Sequence, residues 1–123
     1  MGLLDKVLGN ASLIDSKKLQ DEIGPLLIAG EVIESGFVVW RDVFAFTNKR
    51  LILVDRQGLT GKKIEYLCIP YYSVESFAVE TAGHFDRDAE LKIWVRGIGL
   101  IKKEIKKDID LMALTRTLSS HIL

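Results

Sequence analysis

The residues with the most obvious chemical potential lie close together between positions 84 and 90 of this 123-residue chain. His84, Asp86, Asp88 and Glu90 follow one another at intervals of two residues, so an extended backbone would point their side chains to one side. Nitrogen and carboxylate donors in that arrangement could hold a metal ion. However, Arg87 stands among them, and the ligand spacing of a calcium-binding loop is absent. We therefore predict no metal site here.

Nucleophilic, redox and phosphate chemistry have even less support in the sequence. The one cysteine, Cys68, lies inside the apolar run 64–69 and is expected to be half or fully buried and unreactive. His84 and His121 are the only histidines, and no nucleophile motif accompanies them. The glycines at 58–61 and 97–99 fit hairpin turns better than a phosphate-binding loop. We predict a protein that is not an enzyme and needs no cofactor.

Composition and charge describe one globular domain with no general attraction to nucleic acid. Hydrophobic residues make up 48% of the chain and charged residues 28%, which excludes a disordered protein. Seventeen basic residues balance seventeen acidic ones, so no nucleic-acid partner is expected. The longest stretch without a charge has nine residues, against the ~20 apolar residues that a membrane-spanning helix needs. With one cysteine and no resemblance to a signal peptide, we expect a cytoplasmic location.

Helical periodicity is confined to the two ends of the chain. Residues 1–29 are predicted to form short helices, because apolar stripes at helical spacing are interrupted by turn residues such as Gly24-Pro25. The stripes consist of Leu3, Leu4, Val7, Leu8 and of Leu19, Ile23, Leu26, Leu27. Residues 108–123 return to helical spacing, with Asp108 or Asp110 as the N-cap. One helix is therefore expected to end the chain.

Between these ends, β-branched and aromatic residues come in seven short runs, each predicted to be a strand. The links between them are short turns without helices, which favours antiparallel neighbours and excludes parallel βαβ units. The pattern therefore predicts a mainly β, bent antiparallel sheet or barrel, and it leaves the choice among small β-barrels open. The predicted strands are Val32–Trp40, Val43–Thr47, Arg50–Asp55, Lys63–Ile69, Val74–Thr81, Glu90–Arg96 and Ile101–Lys107.

Two contiguous stretches closely resemble the bacterial pleckstrin-homology (PH) domain family. The first is FAFTNKRLILVD at 44–55 with QGLTGKK at 57–63, and the second is ETAGHFD at 80–86 leading into DAELKIW at 88–94. The resemblance runs from about Leu26 to Leu118. It implies a PH-like fold for residues 30–123, which is a bent seven-stranded antiparallel barrel or sandwich capped by a C-terminal helix. The helical segment 1–29 would precede it within a single domain.

The resemblance implies an assembly rather than a reaction. Members of this family look like stand-alone domains that associate into ring-like homo-oligomers, pentameric in some cases, and no catalytic residues are defined for them. PH domains elsewhere bind phosphoinositide headgroups through several Lys and Arg residues in the first strand-turn-strand. Here that turn reads Trp40-Arg41-Asp42-Val43, where one acid cancels one base. The phosphoinositide site therefore does not carry over.

Local charge indicates how identical copies could meet. Residues 75–90 carry a net charge of −4 and residues 92–107 a net charge of +5, which favours a head-to-tail ring, unless these residues are simply solvated surface charges. Trp94 is the predicted apolar anchor, because it alternates with inward-facing neighbours. The competing possibility is that the N-terminal helices cover Trp94. The predicted interface residues are Leu4, Val7, Leu8, Asp86, Asp88, Lys92, Trp94 and Arg96.

A second hypothesis places the same basic segment on a membrane surface. Anionic lipid headgroups could be bound by a cluster of four lysines, which would hold the protein at the inner face of the membrane. In a strand, alternate lysines of this cluster point to opposite faces, so only part of it can form one patch. We expect another copy of the chain as the main partner, with another protein or an anionic membrane surface as alternatives. The four lysines are Lys102, Lys103, Lys106 and Lys107.

Overall fold

Seven antiparallel strands make up most of the computed structural model, which describes residues 16–39, 42–81, 89–105 and 110–123. The strands are β1 Ile33–Val39, β2 Asp42–Thr47, β3 Arg50–Gln57, β4 Lys63–Pro70, β5 Val74–Glu80, β6 Ala89–Val95 and β7 Gly99–Ile105. They form one sheet of order β1-β2-β3-β4 and one of order β5-β6-β7. The helices are α1 Ser16–Ile23 and α2 Leu111–Ile122, and single 3-10 turns lie at Gly24–Leu26 and Tyr71–Ser73. The predicted mainly β class is confirmed.

The strand boundaries follow the predicted ones closely, and β7 shows the largest difference. It was expected over 101–107, but it begins at Gly99. The hairpin from β6 needs only a short turn, because Gly97 and Gly99 adopt left-handed φ angles of 84° and 98°. Glycine reaches this region at no steric cost, so the chain reverses direction within three residues. Neither helix of the described ranges is long and apolar enough to cross a membrane.

The main core lies between the two sheets and is completed by α2. Alternate residues of β6 point into it, as the sequence predicted, and α2 contributes two leucines from one face. Asp110 caps this helix, since its Oδ1 accepts a hydrogen bond from the Ala113 N–H at 3.0 Å. The buried residues of this core include Phe37, Phe44, Phe46, Leu51, Leu53, Leu91, Ile93, Val95, Leu114 and Leu118.

A second core lies on the opposite face of the four-stranded sheet, beneath α1. The apolar runs of β2 and β3 explain it, because successive residues of a strand point to opposite faces. Phe44 and Phe46 face the main core, whereas Val43 and Ala45 face Leu19 and the rest of α1. A strand buried on both faces needs a continuous apolar sequence. The members of the second core are Leu19, Ile23, Ile33, Val43, Ala45, Ile52 and Val54.

His121 fastens the last turn of α2 to β1. Its ring stacks between Phe46 and Tyr71, with centroid distances of 5.5 and 4.6 Å. Its Nε2 lies 2.7 Å from Glu34 Oε1 on β1, and its Nδ1 lies 2.8 Å from the Thr117 carbonyl oxygen. His121 is therefore an anchor of the helix rather than a free residue of the tail.

A buried carboxylate ties the segment before β1 to the turn between β2 and β3. The Glu31 side chain is fully buried, and its Oε2 accepts hydrogen bonds from the Thr47 hydroxyl at 2.7 Å and from Arg50 Nε at 2.9 Å. Its Oε1 accepts from Arg50 Nη2 at 3.0 Å and from the Ile28 N–H at 3.1 Å. Burial alone would raise the pKa of Glu31, but these hydrogen bonds outweigh it and lower the pKa to about 2. Glu31 is therefore an ionised, fully hydrogen-bonded partner of Arg50.

Removing the side chain that joins α1 to the sheet should destabilise the protein strongly. Leu19 has no exposed surface, and a buried Leu→Ala change costs about 2–5 kcal/mol. We expect Leu19→Ala to lower the free energy of unfolding in urea by that amount. Gln20→Ala, on the exposed side of the same helix, should leave it nearly unchanged. Equal stabilities of the two variants would contradict the second core.

The pKa of Glu31 predicts a loss of stability in acid. The pKa of this carboxyl group is near 2 in the folded protein, against an ordinary value of 4.5. Its ionised form therefore adds about 3 kcal/mol to the free energy of unfolding above pH 4.5, and this contribution is lost as the pH falls toward 2. We expect Glu31→Gln to be about 3 kcal/mol less stable than wild type at pH 7. The difference in the free energy of unfolding between wild type and Glu31→Gln should be smaller at pH 3 than at pH 7, as measured by urea unfolding at both pH values. Glu65→Gln, exposed on β4, is the control, and a difference that is independent of pH would contradict the assignment.

Candidate functional site

The outer face of the β5-β6-β7 sheet carries three of the candidate residues that the sequence analysis named, Lys92, Trp94 and Lys102. The register places three rows of side chains across it, each row taking one residue from each strand. The first row is acidic, the second holds two lysines, and the third is largely apolar. The rows are Glu80-Glu90-Glu104, Ala78-Lys92-Lys102 and Ser76-Trp94-Leu100.

The acidic and basic rows pair with each other inside one subunit. Lys92 Nζ lies 3.3 Å from Glu80 Oε2 and 3.9 Å from Glu90 Oε1, and Lys102 Nζ lies 3.8 Å from Glu90 Oε2. The antiparallel hairpins create this arrangement, because they bring the acidic segment beside the basic segment that follows it. Such surface ion pairs contribute at most about 1 kcal/mol each. Because these charges are paired within the chain, a neighbouring molecule would meet less unpaired charge than the segment totals of −4 and +5 imply.

The lysine cluster is divided between two faces, as strand geometry predicted. Lys102 belongs to the outer face, whereas Lys103 points inward and binds acids of the other sheet. Lys103 Nζ lies 3.0 Å from Asp42 Oδ2 and 3.6 Å from Asp55 Oδ2, so it bridges the two sheets at one corner. The remaining lysines at 106 and 107 lie outside the described residues. Lys102 and Lys103 therefore do not form one patch.

Trp94 points outward from the β5-β6-β7 sheet. Of the N-terminal helices that were expected as a possible cover, α1 does not cover it, and residues 1–15 lie outside the described residues. The neighbours Ile93 and Val95 are buried in the main core, while Trp94 is half-buried and part of neither core. Leu100, beside it on β7, is 46% exposed, and Ile98 in the β6–β7 turn is 51% exposed. Helix α1 packs on the other sheet instead. We call Ser76, Trp94, Ile98 and Leu100 the Trp94 surface.

The other predicted interface residues have mixed outcomes. Lys92 is committed to its ion pairs, and Arg96 is exposed at the start of the β6–β7 turn, next to the Trp94 surface. Its backbone N–H donates to the Ser73 carbonyl at 2.8 Å, which fixes this end of the sheet. The remaining predictions lie outside the described residues, namely Leu4, Val7, Leu8, Asp86 and Asp88.

A second apolar surface, which the sequence analysis missed, lies between α1 and β1. The sequence predicted a break at Gly24-Pro25 and placed Leu26 and Leu27 on an apolar stripe; a single 3-10 turn at Gly24–Leu26 follows α1, and Leu26 is 38% exposed. Ile28 and Val32 are 60% and 57% exposed. We call residues 26–32 the aliphatic loop. Its signal in the sequence is a run of aliphatic residues between a proline and the first strand.

Cys68 and His121, the described residues with the most reactive side chains, both have structural surroundings. Cys68 is half-buried and packs at the edge of the second core, and His121 is held by α2 and β1 as described above. Within the described ranges, no group of three or more His, Cys, Asp or Glu side chains could hold a metal ion. The geometry presents two apolar surfaces on a rigid β framework, and this arrangement suits binding.

Similar proteins agree with this architecture. Residues 2–122 match the family model described as "Bacterial PH domain". The "Uncharacterized protein YjqA" of Bacillus subtilis is 48% identical over 122 residues, which cover 98% of each chain. The "Uncharacterized protein YozO" of the same organism is 38% identical over 108 residues, which cover 88% of this chain and 90% of that protein.

Solved structures show the same fold. A pleckstrin homology domain from Shewanella amazonensis superposes with a TM-score of 0.83 at 46% identity and covers 99% of both chains. A DUF1696 family protein with a pleckstrin-homology domain, from Shewanella loihica, gives a TM-score of 0.79 at 44% identity and covers 93% of this chain and 98% of that one. With a family match over nearly its whole length, the chain belongs to the bacterial PH domain family.

Proposed function

We propose that the protein is a non-catalytic binding or scaffolding module that assembles with copies of itself through the Trp94 surface. The observation that carries this proposal is an outward-facing tryptophan flanked by two exposed aliphatic side chains, Ile98 and Leu100. Tryptophan is among the residue types that dominate binding energy at protein interfaces. A half-buried Trp on a flat sheet face gains a large apolar contact when a second molecule covers it.

The surroundings of the Trp94 surface fit a protein partner. Arg96 lies at its edge and Lys92 lies in the next row, so a polar rim borders an apolar centre. Interfaces commonly have this organisation. Lys92 already forms ion pairs within its own chain. A partner that covers the Trp94 surface would therefore not bury Lys92 as an unpaired cation.

A ring is the form of assembly that the family resemblance implies, and it is pentameric in some members. The cytoplasm is the location that the cysteine content favours. Rings arise when one surface of a subunit contacts a different surface of the next and the rotation closes. The lipid hypothesis has less support than assembly, because Lys102 and Lys103 point to opposite faces and each is paired with an acid.

Light scattering tests the proposal directly. Wild type should have a stable native mass several times the 13.8 kDa of one chain, and Trp94→Asp should weaken association at least about 30-fold. Met112→Asp is the matched control, because Met112 is a 55% exposed apolar residue on α2. It should assemble like wild type. Runs at low and high salt would show whether charge affects the assembly.

Two results would contradict assembly through Trp94. One is a wild-type protein that is monomeric at micromolar concentration. The other is an oligomer whose mass is the same in wild type and Trp94→Asp. Co-sedimentation with vesicles of anionic phospholipid would then test the lipid hypothesis, which requires wild type to bind them at low salt.

A further inference from the structure

Contacts from three separate elements hold the imidazole of His121 in the last turn of α2. The side chain is 16% exposed, and its ring stacks between Phe46 of β2 and Tyr71 of the second 3-10 turn. The third element is β1, where Glu34 Oε1 lies 2.7 Å from Nε2. Within α2 itself, the Thr117 carbonyl oxygen lies 2.8 Å from Nδ1. The position of this turn therefore depends on what one ring can bind.

Glu34 reaches the ring at a point where β1 is irregular. Ile33 pairs with Thr47 of β2, and Ser35 pairs with Phe46, so Glu34 has no partner in the register. An extra residue of this kind is a β-bulge, which changes the direction of the side chain that it carries. The bulge thus accompanies a carboxylate that lies beside the C-terminal turn of α2.

The two closest polar partners of the imidazole are both hydrogen-bond acceptors. A neutral imidazole has a single N–H and can donate to only one of them, whereas a protonated ring can donate to both. Ser120 Oγ lies 3.4 Å from Nδ1, but its hydroxyl donates to the same Thr117 carbonyl oxygen at 2.9 Å. It could serve a neutral ring only by giving up that bond. A neutral ring therefore costs this site one hydrogen bond in either tautomer.

The charges around the ring also favour its protonated form. Glu34 is an acid in contact with it, the end of α2 concentrates negative partial charge on its last carbonyls, and the two stacked aromatic rings attract cations. Tyr71 stays neutral, because burial and the nearby Glu34 and Glu31 raise its pKa. Arg50 neutralises Glu31. Burial of the ring acts in the opposite direction. The strength of the contact therefore depends on the proton that the ring carries.

We propose that His121 and Glu34 form a pH-sensitive contact, which holds the last turn of α2 while the imidazole is protonated and releases it when the imidazole is neutral. Histidine is the residue type whose charge ordinarily changes between pH 5 and 8. The contact should therefore hold at pH 5.5 and weaken by pH 8.5. Ile122 follows His121 and packs against the main core, so release of this turn would uncover part of that core. The inference concerns one chain and does not require self-assembly.

Hydrogen–deuterium exchange of residues 117–123, measured by mass spectrometry, tests the proposal. His121→Gln keeps a neutral donor at this position and has no charge at either pH. At pH 5.5, its last-turn amides should exchange about 10-fold faster than those of wild type, in line with the loss of one charged hydrogen bond. At pH 8.5, the two proteins should differ by no more than about 2-fold. Taking the ratio at each pH removes the effect of pH on the exchange chemistry itself.

The partner residue and two controls make this test specific. Glu34→Gln should behave like His121→Gln, and the double variant should exchange no faster than either single variant at pH 5.5, because one contact is removed in each. Glu65→Gln removes an exposed carboxylate of another strand and should match wild type. His84→Gln removes the other histidine of the chain and should keep the pH dependence. Continued protection of the β3 amides verifies the fold of each variant.

An NMR titration of wild type needs no substitution. The ring signals of His121 should move between pH 5.5 and 8.5, and the amide signals of residues 119–123 should move with the same midpoint. The amides of the first turn of α2, which Asp110 caps, should not follow that midpoint. Such coupling would connect the proton on the ring to the conformation of the last turn.

Each of the following results would overturn the inference. An exchange ratio that is the same at both pH values would make His121 an anchor without pH sensitivity. Last-turn signals that do not follow the ring would separate its titration from the helix. Loss of the pH dependence in His84→Gln would assign it to the other histidine. A monomeric wild type would contradict self-assembly and leave all of these measurements valid, so the two proposals fail separately.

Discussion

The burial of the four-stranded sheet on both faces is the constraint on which the rest of the structure depends. Because β2 and β3 are apolar at every position from Val43 to Phe46 and from Leu51 to Val54, each strand must send alternate side chains into two different cores. The second sheet and α2 cover one face, and α1 covers the other. Helix α1 is therefore a structural part of the domain. Because α1 packs on the four-stranded sheet, it does not cover the outer face of the β5-β6-β7 sheet.

Many of the charged side chains at the surface form ion pairs with one another within the chain. Lys92 and Lys102 pair with glutamates on adjacent strands, Lys103 joins the two sheets, and Arg50 is held by Glu31. A chain with zero net charge thus satisfies many of its charges internally. Apolar contacts remain as the main source of affinity for a partner, and charge contributes at their edges. This agrees with an interface centred on a tryptophan better than with an electrostatic surface for lipid.

The sequence predicted features that depend on local periodicity and missed those that depend on distant contacts. The alternation of Leu91, Ile93 and Val95 predicted the outward direction of Trp94. The spacing before α2 offered Asp108 or Asp110 as the N-cap, and Asp110 is the residue that accepts the hydrogen bond from Ala113. The Glu31–Arg50 pair joins positions 19 residues apart, and nothing in the spacing reveals it. The sequence predicted a break at Gly24-Pro25, but it did not reveal which side chains hold the segment that follows. The family resemblance supplied the fold but not the side-chain partners.

The framework also fixes the angle between the two sheets. The main core and the bridge from Lys103 to Asp42 and Asp55 hold that angle, and close-packed cores deform little. The Trp94 surface belongs to the β5-β6-β7 sheet, so its direction relative to the four-stranded sheet follows from the same contacts. Under the proposed self-assembly, the rotation from one copy to the next would depend on this angle, and core residues far from the Trp94 surface would then affect how many copies close a ring.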